Sequence, residues 1–129
     1  MGRFDERRKE FEKALNRLDE SLKEKETELI IDAVLHRFEF TFELAWKTMK
    51  DYLEYVGVID KTGSPREIIQ SAFQYGMITE GDAWINMMLA RNSLSHLYDE
   101  EKSRNIYKDI KETYLELLKN LNQKLDEII

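Results

Sequence analysis

The segment Arg91-Asn92-Ser93-Leu94-Ser95-His96-Leu97-Tyr98 gathers more chemistry than any other stretch of this chain. Arginine is a permanent cation whose planar fork can hold a phosphate by two parallel hydrogen bonds. Histidine is the side chain suited to take or give a proton near neutral pH. Arg91 and His96 could therefore form a phosphate-directed acid–base site. In a continuous α-helix, residues five apart sit about 140° apart around the axis. The pair can act together only if the helix ends or loosens between them, and Ser93, Ser95 and the approaching Asp99 predict such an ending. Otherwise Arg91 and Asn92 make ordinary contacts at a helix C-terminus, and His96 is a solvated or capping residue.

Glu39, Glu43 and Lys47 step by four along one side of a predicted helix. Such a series is ordinarily a solvent face with ion-pair support of a few tenths of a kcal/mol. It matters to the chemistry only if that side faces Arg91, where Glu43 or Lys47 could position the arginine or a phosphate. His36 has no Cys, Asp or Glu partner with a second histidine at metal-ligand spacing, so it reads as a structural or surface residue and no metal site is expected. Trp46, Trp84, Met87 and Met88 sit at core-compatible spacing and read as packing. No glycine-rich phosphate loop, Ser/His/Asp order or distinct carboxylate pair is present.

The elements that must position these residues follow from periodicity. Phe4, Phe11, Leu15, Leu18 and Leu22 predict a first helix over 3–25. Thr27 predicts the cap of a second, whose stripe is Ile31, Leu35, Phe38, Phe42, Ala45/Trp46, Met49, Leu53 and Val56, with Gly57 ending it. Phe40, Leu44 and Tyr52 lie off that stripe, so the helix is central or shared with a partner chain. After a loop at 57–63, Ser64-Pro65-Arg66-Glu67 is a capping box with proline at the first helical position. It opens a short helix burying Ile68, Ile69, Ala72 and Phe73 before Gly76. Thr79 and Asp82 predict the start of a fourth helix through Trp84, Ile85, Met88 and Leu89 to Arg91. Asp99 caps the last, with Ile106, Ile110, Thr113/Tyr114, Leu117, Leu121, Leu125 and Ile128 on its stripe. No segment alternates with the two-residue period of a strand. The expected fold is all-α, an up-and-down four-helix bundle with one additional short helix, in a single domain spanning 1–129.

The 129 residues suffice for one core. A net charge of −6 argues against broad DNA binding, though not against a narrow pocket lined by a few cations. The chain has no cysteine, which excludes disulfides and thiolate metal sites. No apolar run reaches the ~20 residues that a membrane-spanning helix needs, and the charged N-terminus lacks the apolar core of a signal peptide. A cytoplasmic location is expected.

With helices and motif together, the chain resembles the HEPN superfamily, and within it the nucleotidyltransferase substrate-binding group. The likeness is carried by Arg37-Phe38-Glu39 through Phe42-Glu43-Leu44-Ala45-Trp46-Lys47, by Ser64-Pro65-Arg66, and by Trp84 leading into Arg91-Asn92. It spans about Phe11 to Ile110. The resemblance implies a homodimer whose two Arg–His motifs meet across the interface, encoded beside a minimal nucleotidyltransferase, with RNA or a nucleotide as substrate. It further implies the toxin of a toxin–antitoxin pair, a ribonuclease needing neither metal nor cofactor. His96 would then move protons, Arg91 would stabilise charge on phosphorus, and Asn92 would orient substrate or histidine. The tyrosine two residues after the histidine, Tyr98, matches the position at which the partner of some relatives attaches AMP to silence the toxin. The other function implied is a non-catalytic subunit that binds a nucleotide or substrate for the nucleotidyltransferase.

Overall fold

The computed structural model describes residues 2–60, 63–96 and 99–128, all of them in helices or short connections, with no strand among them. Helix α1 is Gly2–Leu22, α2 Glu28–Tyr55, α3 Pro65–Tyr75 and α4 Gly81–Ser93. A 3₁₀ turn, Leu94–His96, follows α4. Helix α5, Glu100–Asp109, continues through a π-helical turn, Ile110–Tyr114, into α6, Leu115–Ile128. The expected all-α bundle with one short helix is the observed fold.

Local chemistry sets most boundaries. The Thr27 side chain accepts the Ile30 N–H at 3.1 Å, starting α2. Ser64 and Glu67 cap each other's backbone in the predicted box, and Pro65 opens α3. Gly76 closes α3 in the left-handed region at φ 89°, where a side chain would be strained. Asp99 caps α5 by accepting the Glu101 N–H at 2.9 Å.

Helix α2 packs against every other helix, which accounts for its apolar residues on more than one side. Leu44 is buried, and the Tyr52 ring lies 5.3 Å from Phe4 of α1 and 6.2 Å from Tyr75 of α3. Through the core runs a chain of aromatic neighbours. Trp84 of α4 lies 6.2 Å from Phe42, Phe42 6.5 Å from Phe38, and Phe38 stacks on Tyr114 at 5.8 Å. The buried Thr41 and Thr48 hydroxyls donate to the carbonyls of Arg37 and Leu44 one turn back, so neither hydroxyl is stranded.

Four local expectations are corrected. Thr79 does not cap α4: Met77 and Ile78 are drawn into the core, and the helix begins after Glu80, whose side chain makes no cap bond. Phe73 is half exposed, because its ring closes over Gly81 at the α3–α4 corner, where a Cβ would meet it at 3.1 Å. Leu89 is also half exposed, since α4 buries Trp84, Met87 and Met88, and Leu89 points away from Trp84 by about 140°. The last helix is not uniformly α. Its π turn is wider than an α turn and rotates the side chains that follow it. The first half thus packs on α2, and the second on α1 as well as α2.

Candidate functional site

Arg91 lies in the last turn of α4, directly over the aromatic core. Its guanidinium carbon is 6.0 Å from the centre of the Phe42 ring. One terminal nitrogen donates to Glu43 Oε2 at 2.5 Å, tying α4 to α2. The Arg91 Nε is buried and has no hydrogen-bond partner among the described residues.

Glu43 is itself held from three sides. Lys47 Nζ sits 3.1 Å from Oε1, one turn along α2, and the Trp46 indole N–H donates to Oε2 at 3.1 Å. Partial burial pushes the Glu43 pKa up, but the Trp46 and Lys47 hydrogen bonds and the charges of Arg91 and Lys47 outweigh it. The net result is a carboxyl held below the usual glutamate range. Glu43 is therefore an ionised anchor near neutral pH and a poor proton acceptor. The face of α2 bearing Glu43 and Lys47 does meet Arg91.

Trp46 is more than the packing residue expected from its spacing, and its position three residues after Glu43 on one helix is the signal that could have shown it. Phe42 belongs to the site as well, through its ring beneath Arg91. Only tertiary contact reveals that role.

Beyond Arg91 the helix tightens. Ser93 Oγ donates to the Ala90 carbonyl at 2.7 Å and Ser95 Oγ to the Asn92 carbonyl at 3.3 Å. The 3₁₀ turn carries His96 into solvent, and Asn92 is exposed as well. Counting 100° per α residue and 120° per 3₁₀ residue, Arg91 and His96 end about 160° apart around the axis. The helix ends as expected, but the tightening leaves Arg91 and His96 on different sides of it. Leu89, by the same count, lies within about 40° of His96. Tyr98 lies outside the described residues. Among the described residues no cluster of three or more His, Asp or Glu side chains is placed to hold a metal ion, and no helix is long and apolar enough to cross a membrane.

Residues 6–127 match the family described as nucleotidyltransferase substrate binding protein like. The chain belongs to this family. A Haemophilus influenzae (strain Rd) relative named "Probable ribonuclease HepT" is 32% identical over 101 residues, covering 74% of this chain and 69% of that one. A Thermus thermophilus protein of known crystal structure superposes with a TM-score of 0.81 at 29% identity, over 89% of this chain and 98% of its own. A Haemophilus influenzae protein described as a substrate binding domain of a nucleotidyltransferase shares the fold, with a TM-score of 0.70 at 24% identity over 97% and 98% of the two chains.

Proposed function

We propose that this chain is the HEPN toxin of a HEPN and minimal-nucleotidyltransferase pair, acting as a metal-independent ribonuclease in the cytoplasm. The observation that carries the reading is the anchored cation followed by an exposed histidine. Arg91 is fixed by Glu43 and Phe42, with donors to spare on its five-N–H fork, and His96 stands free in solvent just beyond. The relative named a probable ribonuclease supports the same chemistry.

In the proposed reaction a ribose 2′-oxygen attacks the adjacent phosphorus as a histidine takes its proton. The bond from phosphorus to the 5′-oxygen breaks, and that oxygen leaves protonated. The products are a 2′,3′-cyclic phosphate and a 5′-hydroxyl. Arg91 stabilises the charge that builds on the phosphoryl oxygens. One imidazole cannot be base and acid in the same step, so a homodimer that joins two Arg91–His96 segments supplies both. Such a dimer also answers the separation of Arg91 and His96 within one chain. Control comes from the partner: Tyr98 attacks the α-phosphorus of ATP, loses its proton, accepts AMP and releases pyrophosphate.

The test is incubation of the purified chain with RNA in EDTA. Cleavage leaving 2′,3′-cyclic ends is expected, with His96→Ala and Arg91→Ala each reducing it by about 10²–10⁴-fold at unchanged helical content. If wild type cleaves nothing and His96→Ala has no phenotype, the function is that of a non-catalytic subunit binding nucleotide or substrate. The relative described as a substrate binding domain favours that second reading.

A further inference from the structure

A groove of about 360 Å³ opens between α1 and α2, and its lining shares no residue with the Glu43–Arg91 contact. Its walls carry Glu10, Lys13 and Arg17 from α1 and His36, Arg37 and Phe40 from α2. Three permanent cations thus face one carboxylate, in a chain whose net charge is −6. Outside the groove Arg7, Arg8, Arg91, Arg104, Lys47 and Lys119 have carboxylates within 4 Å, while other surface bases such as Lys9 and Lys25 have none among the described residues. Among the described residues Lys13, Arg17 and Arg37 have none. Arg37 is steadied instead by donating to the Arg17 carbonyl at 2.7 Å, which leaves its charge uncompensated.

Phe40 sits beside these cations with its side chain open. It is 56% exposed, although the next two residues of α2, Thr41 and Phe42, are buried. Its spacing from His36 and Arg37, four and three residues, puts all three on one face of α2. No other ring among the described residues stacks on it. An exposed aromatic next to uncompensated cations is the arrangement that takes a planar base on the ring and a phosphate on the charges. The groove's volume lies within the range of small-ligand sites.

We propose that the α1–α2 groove is a nucleotide-binding subsite, with the phosphate on Lys13, Arg17 and Arg37 and the base against Phe40. It is separate from the Arg91–His96 segment and does not depend on whether that segment cleaves RNA. The same chemistry is offered by a free mononucleotide and by one residue of an RNA strand.

Amide chemical shifts and calorimetric titration test it on the wild-type chain. The probes are AMP, inorganic phosphate and a 5′-phosphorylated 2′-O-methyl hexanucleotide, which cannot be cleaved by attack of its own 2′-oxygen. Shifts from α1 and α2 around Lys13, Arg17 and Phe40 are expected. AMP binding with a weaker hexamer identifies a free nucleotide as occupant, and the reverse identifies RNA. The double variant Lys13→Gln/Arg17→Gln should weaken both nucleotide and phosphate at least tenfold with helical content unchanged. Phe40→Leu should weaken AMP about fivefold or more and leave inorganic phosphate alone. The proposal is overturned if neither nucleotide probe moves groove resonances, if the shifts map only to Arg91–His96, or if the variants bind as wild type does. A homodimer in which the second copy covers Phe40 would also overturn it.

Discussion

Glu43 shows at the scale of one residue how the site is held. Three donors converge on its carboxylate, and one of them is Arg91. Glu43→Gln keeps the shape and removes the charge, so Arg91 loses a charge-assisted bond and gains freedom to leave the Phe42 ring. RNA cleavage is expected to fall by roughly tenfold or more, the equivalent of about 1.4 kcal/mol and within the range for hydrogen bonds to charged groups. The folded-state pKa of Glu43 lies below the ordinary 4.5. Its contribution to stability is therefore complete above 4.5 and is lost as pH falls through the folded value. The Tm gap between wild type and Glu43→Gln should consequently be wide at pH 7 and narrow as pH is taken progressively below 4.5, and a gap independent of pH would contradict the anchoring role. Tyr98→Phe keeps the ring and removes the acceptor hydroxyl. Given the partner nucleotidyltransferase and ATP, wild type should gain the mass of one adenylyl group and lose activity, whereas Tyr98→Phe should remain unmodified and active. An attached AMP would add a bulky, negatively charged phosphate two residues along the chain from His96, and a negative charge there would disfavour a substrate phosphate. Failure of the wild type to gain that mass rules the mechanism out.

Elements matter here through their ends. Helix α4 presents Arg91 in its last turn and then tightens, so that His96 projects on the side shared with Leu89. Helix α3 is bounded by a capping box and by Gly76 in the left-handed region, two devices legible in the sequence because they are chemical necessities of a helix terminus. At Gly76 an added Cβ would meet nothing within 4 Å, so the cost of Gly76→Ala is backbone strain alone. Urea unfolding should show a loss of about 1–2 kcal/mol, with RNA cleavage unchanged. An unaffected midpoint would mean that the helix end relaxes at no cost. The π turn is a different case. The stripe from Ile106 to Ile128 keeps α periodicity throughout, so nothing in the residue pattern marks where the helix widens. The need to add α1 to α2 as a packing partner is met only in the assembled bundle.

At the scale of the whole molecule, α2 spends part of its excess apolar surface inside the chain, since Leu44 is buried and Tyr52 lies between Phe4 and Tyr75, while Phe40 stays exposed. The pairing surface is better sought on α4, where half-exposed Leu89 and partly buried Ile85 lead along the helix toward His96. A homodimer through this face would bring two His96 side chains together about a two-fold axis. Leu89→Asp should convert the dimer to monomer in light scattering at micromolar concentration and abolish cleavage together with it. A wild-type monomer, or an active monomeric variant, would refute the composite site. Ion pairs such as Arg8–Asp126 and Lys119–Asp19 brace α1 against α6 at the surface, where each contributes at most about 1 kcal/mol.

The sequence by itself determined the number and order of the helices, most of their caps, most of the core and the family, because periodicity, capping and motif spacing are properties of near neighbours along the chain. It also presented Arg91, His96 and the Glu43–Lys47 step as candidates. Only the tertiary structure decided that Glu43 grips Arg91 across 48 positions of sequence, that Phe42 lies beneath it, and that Phe73 and Leu89 stay half exposed. Each of these depends on the angle and register at which two helices pack. Those quantities are fixed by the complementary shapes of both surfaces, which no single helix's pattern contains.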